Sequence, residues 1–309
     1  MQDKIRGPLA PVLTPFKAKF YAPDVERFIA HCRWLIDNHV GLAIFGTNSE
    51  SASLSVDERL TLTDALIAAG IPASRMMPGT GGCSITDSVR LTRHAVAAGA
   101  SGVLMLPPFY YKGVSDEGLF AYYSEVIEQV GSDRLKLYLY HIPQMTQVPI
   151  TMNLIDMLLK RYPGTVAGAK DSSGVWDNTR TMIDNYSRDG FDVFPASEST
   201  LSSALPLGAA GCISATVNMN PAGIYALYKG WNTPEGPSLQ AKADVVRQIF
   251  QSVPMIPAMK RVVAEVSNHP EWRVVRPPLV PLDDATASTL LPALKKANFE
   301  MTAYPSASV

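Results

Sequence analysis

Short apolar or β-branched runs recur along the chain at 8–15, 41–46, 75–81, 101–108, 135–143, 165–170, 191–197 and 211–216. Between them lie stretches whose apolar positions recur every three to four residues, among them 25–40, 55–69, 86–98 and 115–130. Asp24, Ser55, Thr86 and Ser115 stand ahead of these stretches, where a short side-chain oxygen closes the free N–H groups of a first helical turn. Strand-like runs alternating with helical ones predict parallel strands joined by crossover helices. The near-continuous apolar character of the runs also suits strands covered on both faces.

Eight such units before residue 223 fit an α/β fold of the (β/α)8 TIM-barrel type better than an open doubly wound sheet. The rest of the chain holds the helix-like runs "SLQAKADVVRQIFQSV" and "IPAMKRVVAEVS" and then the extended "RPPLVPL". The expected organisation is a barrel over 1–223 and a C-terminal helical extension over 224–309, packed as one structural unit.

Composition narrows the partners. Of 309 residues 47% are hydrophobic and 18% charged, with a formal net charge of -1, so no basic footprint for nucleic acid is present. No apolar run approaches the ~20 residues of a membrane span, and "MQDKIRGPLAPVLTPF" lacks the apolar core of a signal peptide. Cys32, Cys83 and Cys212 are far apart and form no CxxC pair, which indicates neither a disulfide framework nor a thiolate zinc site. A cytoplasmic protein with no nucleic-acid or membrane partner is the expectation.

In a barrel of this type the active site gathers at the C-terminal ends of the strands. The second run ends in "GTNSE", with Thr47, Asn48 and Glu50, and the fourth in "PPFYYK", with Tyr110, Tyr111 and Lys112. The fifth carries Tyr138, Tyr140 and His141, and the sixth ends in Lys170 and Asp171. Hydroxyls and one amine dominate. Of the histidines, His31, His39 and His94 fall in predicted helices and His269 in the tail, leaving His141 alone to line the mouth, so a metal mechanism is not expected. The glycine-rich "GTGG" at 79–82 follows the third run and reads as a tight turn.

Lys170 has an ordinary reading, a solvated loop lysine, and a chemical one, a nucleophile at the barrel mouth. An ordinary lysine with pKa near 10.4 is neutral at pH 7 in roughly one molecule in 2,500, so a nucleophilic one must be desolvated or set near other cations. An apolar strand end provides desolvation. Strand alternation turns Asp171 outward if Lys170 points inward, and puts Tyr138 and Tyr140 on one face. A phenol at Tyr140 beside an amine at Lys170 would supply the proton relay that imine formation needs.

The chain resembles the dihydrodipicolinate synthase and N-acetylneuraminate lyase family of class I aldolases. "GTNSESASLSVDER" is similar to the family's GTTGE segment and its following L-x-x-x-E-R, and "LPPFYYKGVSDEGLFAYY" to PPYY…EGL. "LYHIP" is similar to Y-N-x-P and "VAGAKDSSG" to the Schiff-base segment G-x-K-[DE]-[SA]-[ST], with further likeness through "GAAGCISATVNMNP" and "RPPLVPL".

The resemblance implies that Lys170 forms an imine with pyruvate or a related 2-oxo acid and that Tyr140 shuttles protons. It implies that Thr47 links Tyr140 to Tyr111 supplied by an adjacent subunit of a homotetramer built as a dimer of dimers. Asn48 and nearby amides would hold the substrate carboxylate, Ile213 would pack near the imine, and Ala196 to Glu198 would face the second half of the substrate. No metal or organic cofactor is implied.

Two departures bear on the substrate. Synthases that condense pyruvate with aspartate semialdehyde carry an arginine within Y-N-x-P-x-R-T-G, where "YHIPQMTQ" has Met145, with Gln147 for the glycine. "GTNSE" also has Asn48 for the second threonine and Ser49 for the next glycine. A thioether cannot grip a carboxylate bidentately as a guanidinium does. The first reading is therefore a lyase or aldolase acting beside an imine-bound 2-oxo acid. Dihydrodipicolinate synthase itself, a sugar-acid lyase or dehydratase, and a catalytically silent ligand-binding barrel are the alternatives.

Overall fold

The computed structural model describes residues 4–306. Seven parallel strands are formed among them: β1 Gly7–Ala10, β2 Gly41–Leu42, β3 Val103–Met105, β4 Leu137–His141, β5 Val166–Asp171, β6 Asp192–Pro195 and β7 Gly211–Ile213. They pair in the orders β2-β1-β7 and β3-β4-β5-β6. Every strand residue is buried, as parallel strands between helices and a filled interior must be.

The expected third strand at 75–81 takes its place in the barrel without a regular ladder. It meets β2 and β3 only through the parallel bridges Leu42–Met76 and Gly79–Leu104. Gly79 N–H donates to the Ile44 carbonyl at 2.7 Å and Thr80 N–H to that of Leu104 at 2.9 Å. Pro78 has no N–H to offer, which interrupts the pairing. The glycines here are not turn residues as the sequence suggested. A Cβ on Gly79 would lie 2.1 Å from the Phe45 carbonyl oxygen, and one on Gly81 2.2 Å from the Leu106 nitrogen. Close approach of neighbouring backbones requires them. The ring closes between β6 and β7, where Ala210 N–H donates to the Val193 carbonyl at 3.0 Å.

Helices follow the predicted pattern closely where caps are strong. Asp24 accepts from Arg27 N–H at 3.0 Å to start Val25–Asp37, and Ser55 and Glu58 form a reciprocal capping box on Val56–Ala68. Ser115 caps Asp116–Val130. The helix at 86–98 begins earlier, at Ile85, because Ser84, not Thr86, accepts from Asp87 N–H at 3.2 Å.

The tail contributes Gly236–Gln251, Met255–Ser267 and Asp284–Lys296. The last is absent from the sequence reading; Pro292 inside it breaks the helical signature. The boundary expected after residue 223 falls within the helix Pro221–Gly230, which packs on β1. Beyond the last helix, the Thr302 carbonyl accepts from Trp34 Nε1 at 3.0 Å and the Tyr304 hydroxyl meets His31 Nδ1 at 3.0 Å, fastening the tail to the barrel.

Candidate active site

Parallel pairing of β4 with β5 puts Tyr140 opposite Lys170. Both side chains point into the barrel, and each residue is 3% exposed. Lys170 Nζ donates to the Tyr140 hydroxyl at 3.2 Å and lies 4.3 Å from the centre of its ring. The same hydroxyl meets Thr47 Oγ1 at 3.0 Å. A buried amine, a phenol and an alcohol thus form one hydrogen-bonded chain, long enough to pass a proton from the amine toward the mouth.

The neighbours on each strand turn away, as alternation demands. Asp171 faces outward, where its carboxylate accepts from Ser173 N–H at 2.9 Å, Asn178 Nδ2 at 3.1 Å and Thr179 Oγ1 at 2.6 Å. It organises the loop leading to the helix Trp176–Tyr186 and leaves Lys170 without an adjacent carboxylate. His141, expected at the mouth, also turns outward, with Nδ1 accepting from Ile150 N–H at 2.9 Å. Burial holds its imidazole below the usual histidine range. Tyr138 fills the opposite end of the barrel, its hydroxyl donating to Asp192 at 3.2 Å.

Thr47 stands on a short turn, Thr47–Ser49, flanked by Phe45 at φ 61° and Glu50 at φ 55°. Non-glycine residues in the left-handed region persist only where surroundings hold them. The Gly46 N–H donates to Ser49 Oγ at 3.2 Å, and Thr14 Oγ1 donates to the Ser49 carbonyl at 2.8 Å. Glu50 is fixed by Lys260 Nζ and by the Arg276 N–H at 2.8 Å. Lys260 in turn donates to the Val274 carbonyl at 2.8 Å. Sequence reasoning missed both Lys260 and Arg276. A lysine on the apolar face of "IPAMKRVV" was the available signal.

Asn48 follows Thr47 on this turn and is half-buried, and Ile213 lies inside the barrel in the cluster that contains Tyr140. Ala196, half-buried, directly follows β6 with its N–H on the Asp171 carbonyl at 2.9 Å. Glu198 is placed elsewhere than expected. Its carboxylate is wholly buried, accepts from the hydroxyls of Ser214 and Thr216, and lies 3.8 Å from Arg247. With these partners it is occupied by the protein itself. Tyr111 does not join Thr47 within the chain; it is 72% exposed and stacks edge-on with Tyr110.

Beside Thr47 opens a cavity of about 280 Å³. Its walls include Leu106, Phe109, Ile142, Met145, Ile256 and Leu279, so the C-terminal extension supplies part of it. Lys112, the cation nearest Tyr111 in sequence, donates to the carbonyls of Phe109 and Thr146, tying together two loops that border the cavity. Among the described residues no group of three or more His, Cys, Asp or Glu side chains is arranged to hold a metal ion, and no helix is long and apolar enough to cross a membrane.

Known proteins resemble this chain in sequence and fold. The model of the dihydrodipicolinate synthetase family matches residues 4–297. An uncharacterized DapA-like lyase of Chloroflexus aurantiacus is 32% identical over 94% of this chain and 96% of that protein. A 4-hydroxy-tetrahydrodipicolinate synthase of Methanococcoides burtonii is 29% identical over 94% and 97%. The crystal structure of dihydrodipicolinate synthase from Agrobacterium tumefaciens superposes with a TM-score of 0.86 at 30% identity, covering 95% of this chain and 99% of that one. YagE, a prophage protein of E. coli crystallised with pyruvate, gives 0.85 at 26% identity, covering 96% and 99%. Members of the family are class I Schiff-base pyruvate aldolases. With its barrel and its lysine–tyrosine–threonine chain at the mouth, the protein belongs to the dihydrodipicolinate synthetase family and is a lyase of that family.

Proposed function

We propose that Lys170 forms an imine with pyruvate or a related 2-oxo acid and that the enzyme makes or breaks the adjacent carbon–carbon bond. The observation that carries this reading is the buried contact of Lys170 Nζ with the Tyr140 hydroxyl at 3.2 Å, continued to Thr47. The lysine amine adds to the keto carbon, and the carbonyl oxygen takes a proton to give a carbinolamine. Loss of that hydroxyl as water leaves the imine, with Tyr140 carrying protons in both steps. Asn48 and the amides of its turn receive the substrate carboxylate, Ile213 packs against the imine, and Ala196 borders the substrate. The assembly proposed is a homotetramer working in the cytoplasm, with Tyr111 of one subunit entering the site of the next.

Incubation with pyruvate and borohydride tests the reading. One three-carbon adduct per chain is expected on the peptide containing "AGAKDSSG", and Lys170→Ala removes both adduct and turnover. Labelling spread over other lysines, or none, would overturn it.

A further inference from the structure

The turn that presents Thr47 is gripped by residues from the far end of the chain. Glu50 closes that turn, its N–H donating to the Thr47 carbonyl at 3.0 Å with φ at 55°. A glutamate in the left-handed region is strained and stays there only where its surroundings hold it. Each oxygen of its carboxylate has its own donor: Oε1 receives Lys260 Nζ, and Oε2 the Arg276 N–H at 2.8 Å. The Arg276 guanidinium also donates to the Ser53 carbonyl at 2.5 Å and to the Glu58 carboxylate at 2.8 Å, which fixes the stretch that follows the turn. Phe16 packs between the two cations, its ring centre 4.4 Å from Lys260 Nζ and 4.6 Å from the Arg276 guanidinium carbon.

Stability alone does not call for two buried charges here, because well-packed apolar residues of the same volume stabilise a fold as well or better. What the charges add is direction, since each carboxylate oxygen accepts along a fixed line. Burial lowers the Lys260 amine to about 8, which still leaves it the charged partner at pH 7. Three residues before Glu50, Thr47 Oγ1 meets the Tyr140 hydroxyl at 3.0 Å. A displacement of roughly 0.5 Å at that contact ends the hydrogen bond. The Lys260 and Glu50 side chains are wholly enclosed by their own chain, so the grip does not depend on a second subunit.

We propose that Lys260 and Glu50 are positioning residues for imine formation: the C-terminal extension, by holding Glu50, keeps the Thr47 hydroxyl in register with Tyr140 and Lys170. The inference rests on the Schiff-base reading above. Neither residue touches substrate. They act through Thr47, so their effect lasts only as long as Thr47 has a hydroxyl to position.

The test follows imine formation with pyruvate, quenched by borohydride at timed intervals and counted per Lys170 finally labelled, so that unfolded chains drop out. The native protein is compared with Lys260→Met/Glu50→Gln, which removes both charges and strands neither, with Thr47→Val, and with all three changes together. Removing the pair should lower the limiting rate by about tenfold and leave the half-saturating pyruvate concentration within about twofold. With Thr47→Val already present, removing the pair should change the rate by less than about twofold. Glu50→Gln alone, isosteric with the native residue, should show the same pattern, because an amide has one acceptor oxygen and must release one of the two donors. An equal loss in both backgrounds would assign the pair to general support of the fold and overturn the proposal. So would an unchanged rate in the pair variant and in Glu50→Gln, or a change confined to the half-saturating concentration. Those results leave the Schiff-base reading standing, whereas absence of any Lys170 adduct in the native protein overturns both.

Discussion

Lys260 and Glu50 form an ion pair in which neither side chain reaches solvent. They lie 210 residues apart, one on the helix Met255–Ser267 and the other next to the turn that presents Thr47. The Phe16 ring, 4.4 Å from Lys260 Nζ, covers the pair. The pair ties the C-terminal extension to the site.

Lys260→Met leaves a buried carboxylate without its cation. The expected loss is ~3–5 kcal/mol of stability, because removing one partner of a buried pair strands the other. The double variant Lys260→Met, Glu50→Gln should recover a large part of it. Urea unfolding of the single and double variants checks this; equal losses in both would show that the pair contributes nothing as a pair.

His31 gives a pH dependence with a definite sign. Asn218 Nδ2 donates to the carbonyls of Pro11 and Ala215, so its Oδ1 faces His31 Nε2 at 3.1 Å and requires a proton on that nitrogen. Nδ1 then accepts from the Tyr304 hydroxyl, and the neutral ring is fully satisfied. Burial lowers the imidazole from 6.5 to about 4, against the smaller pull of Asn218. Between those values the unfolded chain holds more protons than the folded one. Stability is therefore complete above pH 6.5 and declines toward pH 4, by about 3 kcal/mol. Denaturation of the native protein and of His31→Gln across this window should diverge with pH; parallel curves would refute the assignment.

Tyr140→Phe keeps the ring under Lys170 and removes the hydroxyl shared with Thr47. A fall in kcat of ~10²–10⁴ is expected, the usual contribution of a positioned proton carrier, with little change in KM for pyruvate. Thr47→Val should lower kcat less, since Lys170 and Tyr140 remain in contact, and Thr47→Ser should restore it. Steady-state kinetics separate these outcomes; a change confined to KM would assign Tyr140 to binding alone.

Tyr110 and Tyr111, 74% and 72% exposed, present aromatic surface at the strand ends of the barrel. Sedimentation should find a dimer or tetramer, and Tyr111→Ala should lower kcat without dissociating it. A monomer with full activity at the same concentration would remove the proposed exchange of Tyr111 between subunits.

What the sequence determined by itself is what short-range periodicity encodes. The alternation of strand-like and helical stretches specified the barrel, and the period of two along "LYLYH" and "VAGAKD" set Tyr140 and Lys170 facing inward with Asp171 outward. Asp24, Ser55 and Ser115 capped their helices because a cap is a contact within four residues. Tertiary structure decided the rest. Ser84 took the cap read at Thr86, the glycines at 79 and 81 proved to be points where backbones nearly touch, and His141 turned out of the mouth to meet Ile150. Glu198 found hydroxyl partners on the segment after β7, and the cavity was completed by Ile256 and Leu279 from the far end of the chain. None of these has a local signature. Whether a buried polar or apolar group faces substrate or another part of the fold depends on which distant segment packs against it, and only the closed barrel with its extension in place fixes that neighbour.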